Sequence, residues 1–435
     1  MTTNAGNTRR IVRNSACNLV GQVMYAIVHL LSIAVLARAL GAVGFGQYYT
    51  IVALILVVQL LAEGGLSTIL TCRLIRHAED RRRTIAEGGG LFAIVSLLSI
   101  ALLTAIGLGV EWWRDTSALT WAFVAAGVAC AGVQVQRYSA GVLQASEQFA
   151  SENIARVIQG VLFAASCLVL TTWGIHLTAV LAILAVSQWT AAGFLLATLR
   201  RRGWLERPAL PRDWKKWVAE AGPLGVGDMV RGVTWQLDTV LLGLLQPAAA
   251  VGIYSVAYRP LGPLNWVPRA ILSAAFPTFT RLAADRDALR RALVRSVCLL
   301  TAISLTVAIV IFASAERFVL LVAGPQYVES AIPLRLVIWI TVLSFFTMHF
   351  RFVLAALGRS ATYAWLVTGT LALEAIVELA LIPRWGYMGA AAGSLLGELV
   401  FAVVGSAVCW RAVRRQEVTY EGTDARAPLD HLQSA

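Results

Sequence analysis

Apolar residues fill this chain in runs of about twenty or more, the length that carries a helix across a bilayer core, separated by short polar stretches. The runs predict twelve helices: 16–37, 46–70, 89–110, 118–141, 154–173, 178–199, 219–245, 252–278, 296–314, 331–356, 360–381 and 388–410. Polar side chains inside them follow helical spacing. In the first run Asn14, Asn18, Gln22, Tyr25 and His29 share one face. The second carries Gln59, Glu63 and Ser67 one turn apart, and the seventh carries Asp228, Arg231, Trp235 and Asp238 on one face. The eighth contains Arg259-Pro260, Pro263 and Pro268-Arg269, and the twelfth places Glu398 near mid-span.

A repeat organises these runs. Gly44-Phe45-Gly46-Gln47-Tyr48 precedes a run ending in Arg73, and Val251-Gly252-Ile253-Tyr254 precedes one ending in Arg281; Gly44 and Gly252 lie 208 positions apart, as do Arg73 and Arg281. Gly174-Ile175-His176-Leu177-Thr178-Ala179 and Gly386-Tyr387-Met388-Gly389-Ala390-Ala391 echo each other 212 positions apart. So long a period is a duplicated membrane half.

Charge placement sets orientation. Basic residues are almost all arginine and gather at one side: Arg9, Arg10 and Arg13, then Arg73 to Arg83, Arg200 to Lys216, Arg281 to Arg295, Arg359, and Arg411 to Arg415. The other side holds Arg38, Arg114, Arg317, Arg335 and Arg384. The positive-inside rule then puts both termini in the cytoplasm. With both halves starting on one side, the expected fold is an all-α integral membrane protein, its twelve helices forming two parallel six-helix bundles related by a pseudo-two-fold axis along the membrane normal. The expected divisions are an N-terminal bundle over 1–199, a basic cytoplasmic linker over 200–217, a C-terminal bundle over 218–415 and a disordered tail over 416–435.

Composition agrees with a membrane and excludes other classes. The chain is 58% hydrophobic and 14% charged, against about a quarter charged in soluble domains. Its net charge of +12 is explained by the loop arginines, so nucleic acid is not an expected partner. The six cysteines lie scattered in apolar runs and read as packing residues, with neither a metal site nor a cofactor expected. No Walker phosphate loop occurs, and no predicted loop has room for a catalytic domain. The longest outer loop, about 315–330, reads as a short surface helix.

A charge at the bilayer centre costs about 2.5–3.5 kcal/mol on insertion scales, so each one requires a reason. Asp228 and Arg231 are either a structural pair or part of a cavity wall. The polar faces of the first, second, seventh and eighth runs favour a cavity, because these are corresponding members of the two repeats and would surround the central axis. His29 is either proton-responsive or hydrogen-bonded within the bundle. Glu378 reads as a boundary residue that snorkels or pairs with Arg384.

Four landmarks then stand in order: Leu36-Ala37-Arg38-Ala39-Leu40-Gly41 before Gly44 to Tyr48; Glu63-Gly64-Gly65-Leu66 before Arg73; Gln236-Leu237-Asp238-Thr239-Val240-Leu241-Leu242-Gly243 before Val251 to Tyr254; and Leu381-Ile382-Pro383-Arg384-Trp385-Gly386. Together, over about 10–410, they resemble the polysaccharide transporter (O-antigen flippase) branch of the multidrug/oligosaccharidyl-lipid/polysaccharide exporter superfamily. The resemblance implies a non-enzymatic secondary transporter of the bacterial inner membrane, a V of two bundles that opens alternately to either side. Its implied cargo is undecaprenyl-diphosphate-linked oligosaccharide, flipped from the cytoplasmic to the periplasmic leaflet on an ion gradient for cell-surface polysaccharide assembly. Membrane lipids, a polysaccharide polymerase and chain-length proteins are the other implied partners. Candidate cavity residues are Arg231, Arg259 and Arg269, whose guanidinium forks suit phosphate oxygens, with Asn18, Gln22, Tyr25, His29 and Trp235. Candidate ion-coupling residues are Asp238, which matches an aspartate of the family pattern, and Asp228, Glu63 and Glu398. The alternatives are a multidrug or cation antiporter of the same superfamily and a membrane polysaccharide polymerase or ligase.

Overall fold

The computed structural model describes residues 3–76, 79–114, 119–146, 148–282 and 285–415. The side chains of Asn14, Asn18 and Asp228, and the expected tail over 416–435, lie outside the described residues. Among those described, every regular element is helical: α1 (Thr3–Glu63), α2 (Leu66–Arg76), α3 (Arg81–Arg114), α4 (Thr120–Gln144), α5 (Phe149–Leu170), α6 (Leu177–Arg201), α7 (Trp214–Leu245), α8 (Ala248–Tyr258), α9 (Trp266–Leu282), α10 (Arg286–Ala313), α11 (Ala315–Val322), α12 (Ala331–Ala356) and α13 (Ser360–Arg415). Two 3-10 segments, Arg259–Asn265 and Pro325–Ser330, interrupt them.

Seven of the described helices are long and apolar enough to cross a membrane. Two of these stretches, Met24–Arg76 and Ser360–Arg414, run to 53 and 55 residues. At 1.5 Å per residue that is about 80 Å, more than twice the thickness of a bilayer core. Each is broken inside, at Gly41 (φ 65°, ψ 177°) and Gly386 (φ 54°, ψ −133°). A Cβ would be strained at both angles, so only glycine turns the chain there cheaply. The chain is thus a multi-pass membrane protein. The stretches α4, α7 and α8 to α9 are also long, but Gln134, Gln136, Arg137, Arg231, Asp238 and Arg259 lower their hydropathy.

Helices up to Arg201 pack chiefly among themselves (α3 on α4, α4 on α6, α1 on α5), and those from Trp214 onward do likewise (α7 and α12 on α13, α10 on α12). The strongest contacts between these halves are α1 with α8 and with α7. The apolar core follows the same division. Toward the arginine-poor ends one buried cluster joins both halves, from Ile33, Ala37, Phe45 and Tyr48 to Val251, Tyr254, Tyr327 and Ile382. Toward the arginine-rich ends it separates into a cluster of Leu66, Leu70, Tyr138 and Leu195 and another of Leu272, Leu300, Leu354 and Val413.

The shared end is closed by backbone contact. A Cβ on Gly46 would lie 1.7 Å from the Ala248 carbonyl oxygen, and one on Gly252 would lie 2.1 Å from that of Ala42. Arg38 Nη2 donates to the Leu321 carbonyl at 2.7 Å, and Gln326 Nε2 and the Tyr327 hydroxyl donate to that of Ala37 at 2.9 and 3.1 Å. The outer segment expected as a surface helix therefore also plugs this end: Val319 and Tyr327 are fully buried. At the opposite end Ala209 N–H donates to the Ala86 carbonyl at 2.9 Å, and Trp217 Nε1 donates to Glu87 at 3.3 Å. Trp214 and Trp217, which fall within the expected linker over 200–217, belong to the first turn of α7.

Two predicted runs are interrupted where they approach the division. The run 46–70 breaks at Gly64 and Gly65, both with positive φ. The run 252–278 breaks at Arg259–Asn265, where Pro260 and Pro263 lack the amide hydrogens a continuous α-helix would use.

Candidate functional site

A cavity of about 360 Å³ lies at the division, walled by both halves. Gln59 and Glu63 of α1, Ser67 of α2 and Arg137 of α4 form one side. Arg231, Trp235 and Gln236 of α7, Arg269 of α9, Thr347 and Arg351 of α12 and Phe401 of α13 form the other. These residues lie on the arginine-rich side of the shared core. Four arginines and one glutamate line it, which gives the wall a net positive charge.

Arg231 holds Glu398, 167 residues away, with Nη2 donating to both carboxylate oxygens at 2.8 and 2.7 Å. The Thr347 and Ser344 hydroxyls donate to the same carboxylate at 2.5 and 3.4 Å. The guanidinium also sits 4.6 Å above the Phe401 ring and 5.7 Å from that of Trp235. The two side chains are 12% and 6% exposed, so each is largely shielded from water. Losing one half of such a pair costs about 3–5 kcal/mol.

Across the cavity Arg137 Nε stands 3.7 Å from Glu63, and the arginine side chain is 48% exposed. Pairs of that kind are worth about 0.2–1 kcal/mol. Glu63 also accepts the Ser67 hydroxyl, so it keeps a partner if Arg137 leaves. One ion pair is thus fixed and the other is loose. Thr347→Val, which removes a hydroxyl from Glu398 without changing side-chain shape much, should cost about 1.5–3 kcal/mol and lower the melting temperature of detergent-purified protein. An unchanged melting curve would mean that Glu398 does not depend on that donor.

Behind the Gln236 wall lies a second polar cluster. Arg259 donates from Nη1 to Gln236 Oε1 at 3.0 Å and from Nη2 to Thr239 Oγ1 at 3.1 Å, and stands 5.0 Å over the Tyr49 ring of the other half. Its Nε is buried without a hydrogen-bond partner among the described residues. Asp238 accepts from Thr239 and from the Tyr254 hydroxyl. Ser394 Oγ lies 2.9 Å from Glu378, 3.0 Å from the Ala390 carbonyl and 3.5 Å from Asp238, so two carboxylates flank one hydroxyl. Glu378 is fully buried, so it does not snorkel to water, and Glu374 one turn away is buried as well.

The sequence candidates therefore fall into separate groups. Arg231, Arg269, Trp235 and Glu63 line the cavity, with Glu398 directly behind Arg231. Asp238 and Arg259 sit in the second cluster. Tyr25 stacks on Trp266 at 5.7 Å and lies edge-on to His29 at 6.1 Å, and Gln22 is half-buried one turn earlier; none of the three lines the cavity. Sequence reading passed over Arg137 and Arg351. Each lies near the basic end of its run, where an arginine reads as an orientation signal, yet the two are 214 positions apart, close to the repeat length.

Solved structures with this arrangement are similar to the chain along nearly its full length. An inward-facing multidrug resistance MATE-family transporter of the MOP superfamily has a TM-score of 0.70 at 16% identity, covering 92% of this chain and 96% of that one. Its outward-facing form has a TM-score of 0.64 at 16% identity, covering 94% and 96%. A MOP-superfamily transporter from Pyrococcus furiosus, described as having a binding pocket of reversed polarity, has a TM-score of 0.56 at 16% identity, covering 91% and 96%. The fold is that of MOP-superfamily membrane transporters. The family model described as "Polysaccharide biosynthesis protein" matches residues 11–283, and the chain belongs to that family. A Shigella flexneri protein described as "Putative O-antigen transporter" is 22% identical over 311 residues, 69% of this chain and 73% of that protein.

Proposed function

We propose that this protein is a secondary transporter that flips undecaprenyl-diphosphate-linked oligosaccharide from the cytoplasmic to the periplasmic leaflet of the bacterial inner membrane. The observation that carries the reading is the positively charged cavity between two halves whose shared apolar core lies toward the arginine-poor end. In this reading Gly41 and Gly386 each separate two crossings. α1 with α2, α3 to α7, α8 with α9, α10, α12 and α13 then supply twelve crossings in two six-helix bundles, with both termini and the open cavity on the cytoplasmic side. A sugar diphosphate cannot shed its water into hydrocarbon. A wet, arginine-lined cleft replaces that hydration while the polyprenyl tail stays in lipid. Four arginines against one glutamate suit an anion better than the cationic drugs of a multidrug antiporter.

Ion coupling falls to the second cluster. Asp238 and Glu378 flank Ser394, and Arg259 joins that cluster to Tyr49 of the opposite half. A proton or sodium ion bound there would change how the halves meet and so bias two conformers. Asp238→Asn should abolish ion-driven flipping while leaving substrate binding in place; coupling that survives the change removes the residue from this role. The flippase reading itself is tested by deletion. Lipid-linked oligosaccharide should accumulate in the cytoplasmic leaflet and return to normal on complementation. Unaltered leaflet distribution would refute it.

A further inference from the structure

Resting on that reading, we infer that Arg137 and Arg351 are the arginines that grip the cargo's diphosphate, and that Glu63 occupies Arg137 until the diphosphate displaces it. The two arginines come from corresponding places. α4 packs on α3, α6 and α2, and α12 packs in the same way on α10, α13 and α9. Arg137 and Arg351 therefore face one cavity from opposite halves, as a pair of forks suited to a two-phosphate group.

The states of Arg231 and Arg137 support this division of labour. Arg231 is spent on Glu398, which takes both hydrogen bonds of its Nη2. Arg137 approaches Glu63 with Nε at 3.7 Å, beyond hydrogen-bond reach, and its side chain is about half exposed. A phosphate entering the cavity can offer that fork two oxygens in the plane of the guanidinium, which Glu63 does not do. Glu63 is left with the Ser67 hydroxyl, so the exchange leaves no bare carboxylate. Because the arginines belong to opposite halves, a diphosphate bound by both also draws the halves together across the open end. The cargo thereby helps to close the side through which it entered.

The test uses the full chain in phosphatidylcholine nanodiscs, with farnesyl diphosphate as the probe and farnesol as its uncharged control. Arg137→Gln and Arg351→Gln should each weaken diphosphate binding tenfold or more, and Arg137→Lys should recover only part of the loss. Glu63→Gln should tighten binding severalfold, but only while Arg137 is present. Arg335→Gln, at the arginine-poor end, should leave the affinity within twofold. Melting curves of each variant separate lost binding from lost folding. Phosphatidylglycerol in the disc should not displace the probe; full displacement would assign the pair to bulk anionic lipid and overturn the inference. Wild-type affinity in both glutamine variants would also overturn it, leaving the flippase reading intact. If the unaltered protein fails to prefer farnesyl diphosphate over farnesol, the flippase reading falls with it.

Discussion

Arg231→Met alone should destabilise the protein by about 3–5 kcal/mol, whereas Arg231→Met with Glu398→Leu should recover most of that loss. The single change strands a carboxylate that is 6% exposed, with only the Thr347 and Ser344 hydroxyls left to it. The double change replaces two buried charges by apolar groups of similar length beside Phe401, a trade that is often neutral or favourable. Melting temperatures and the yield of monodisperse protein in detergent report the outcome. Equal stability of the single variant and the wild type would show that the pair is not a structural unit. Comparing transport by the double variant with its restored stability then separates any direct contact between Arg231 and cargo from its part in holding α7 to α13.

Gly46→Ala or Gly252→Ala should prevent the arginine-poor end from closing and abolish transport. The added methyl would lie 1.7 Å from the Ala248 carbonyl oxygen in the first case and 2.1 Å from that of Ala42 in the second. Both obstacles are backbone, so no side-chain rotation relieves them, and α1 must separate from α8. A cysteine at Val251, fully buried in the seam, reports this separation in a background stripped of the six native cysteines. A membrane-impermeant maleimide applied from the arginine-poor side should label it at least tenfold faster when either glycine is changed. Gly193→Ala, where an added Cβ meets nothing within 4 Å, is the control and should behave as wild type. Unchanged labelling in both seam variants would mean that these crossings do not form the seal.

The all-helical, multi-pass character could be read from sequence because lipid enforces it: every crossing needs a long apolar helix. The site was legible in part. Arg231 stood out as a charge in an apolar run, but its partner lies 167 residues away, and periodicity names no partners across such a distance. Asp228 offered a nearer one at helical spacing. Glu378 was expected to snorkel or pair with Arg384, whereas α13 buries it against Gly393 and Ser394, a packing that helical spacing does not reveal. The break at Gly64 and Gly65 was spelled out in the sequence, yet two glycines in an apolar run also suit close helix packing. Arg137 and Arg351 sit near the ends of their runs, and the sequence reading gave them no role.

The union of the two halves in the large apolar cluster toward the arginine-poor end carries a thermal consequence. Opening that end to solvent would hydrate Phe45, Val251, Tyr254 and their neighbours, and hydrating apolar surface raises heat capacity. The equilibrium between the two conformers should then follow a curved, not straight, van 't Hoff plot. Cooling would loosen the closed form, because apolar association weakens as water grows colder.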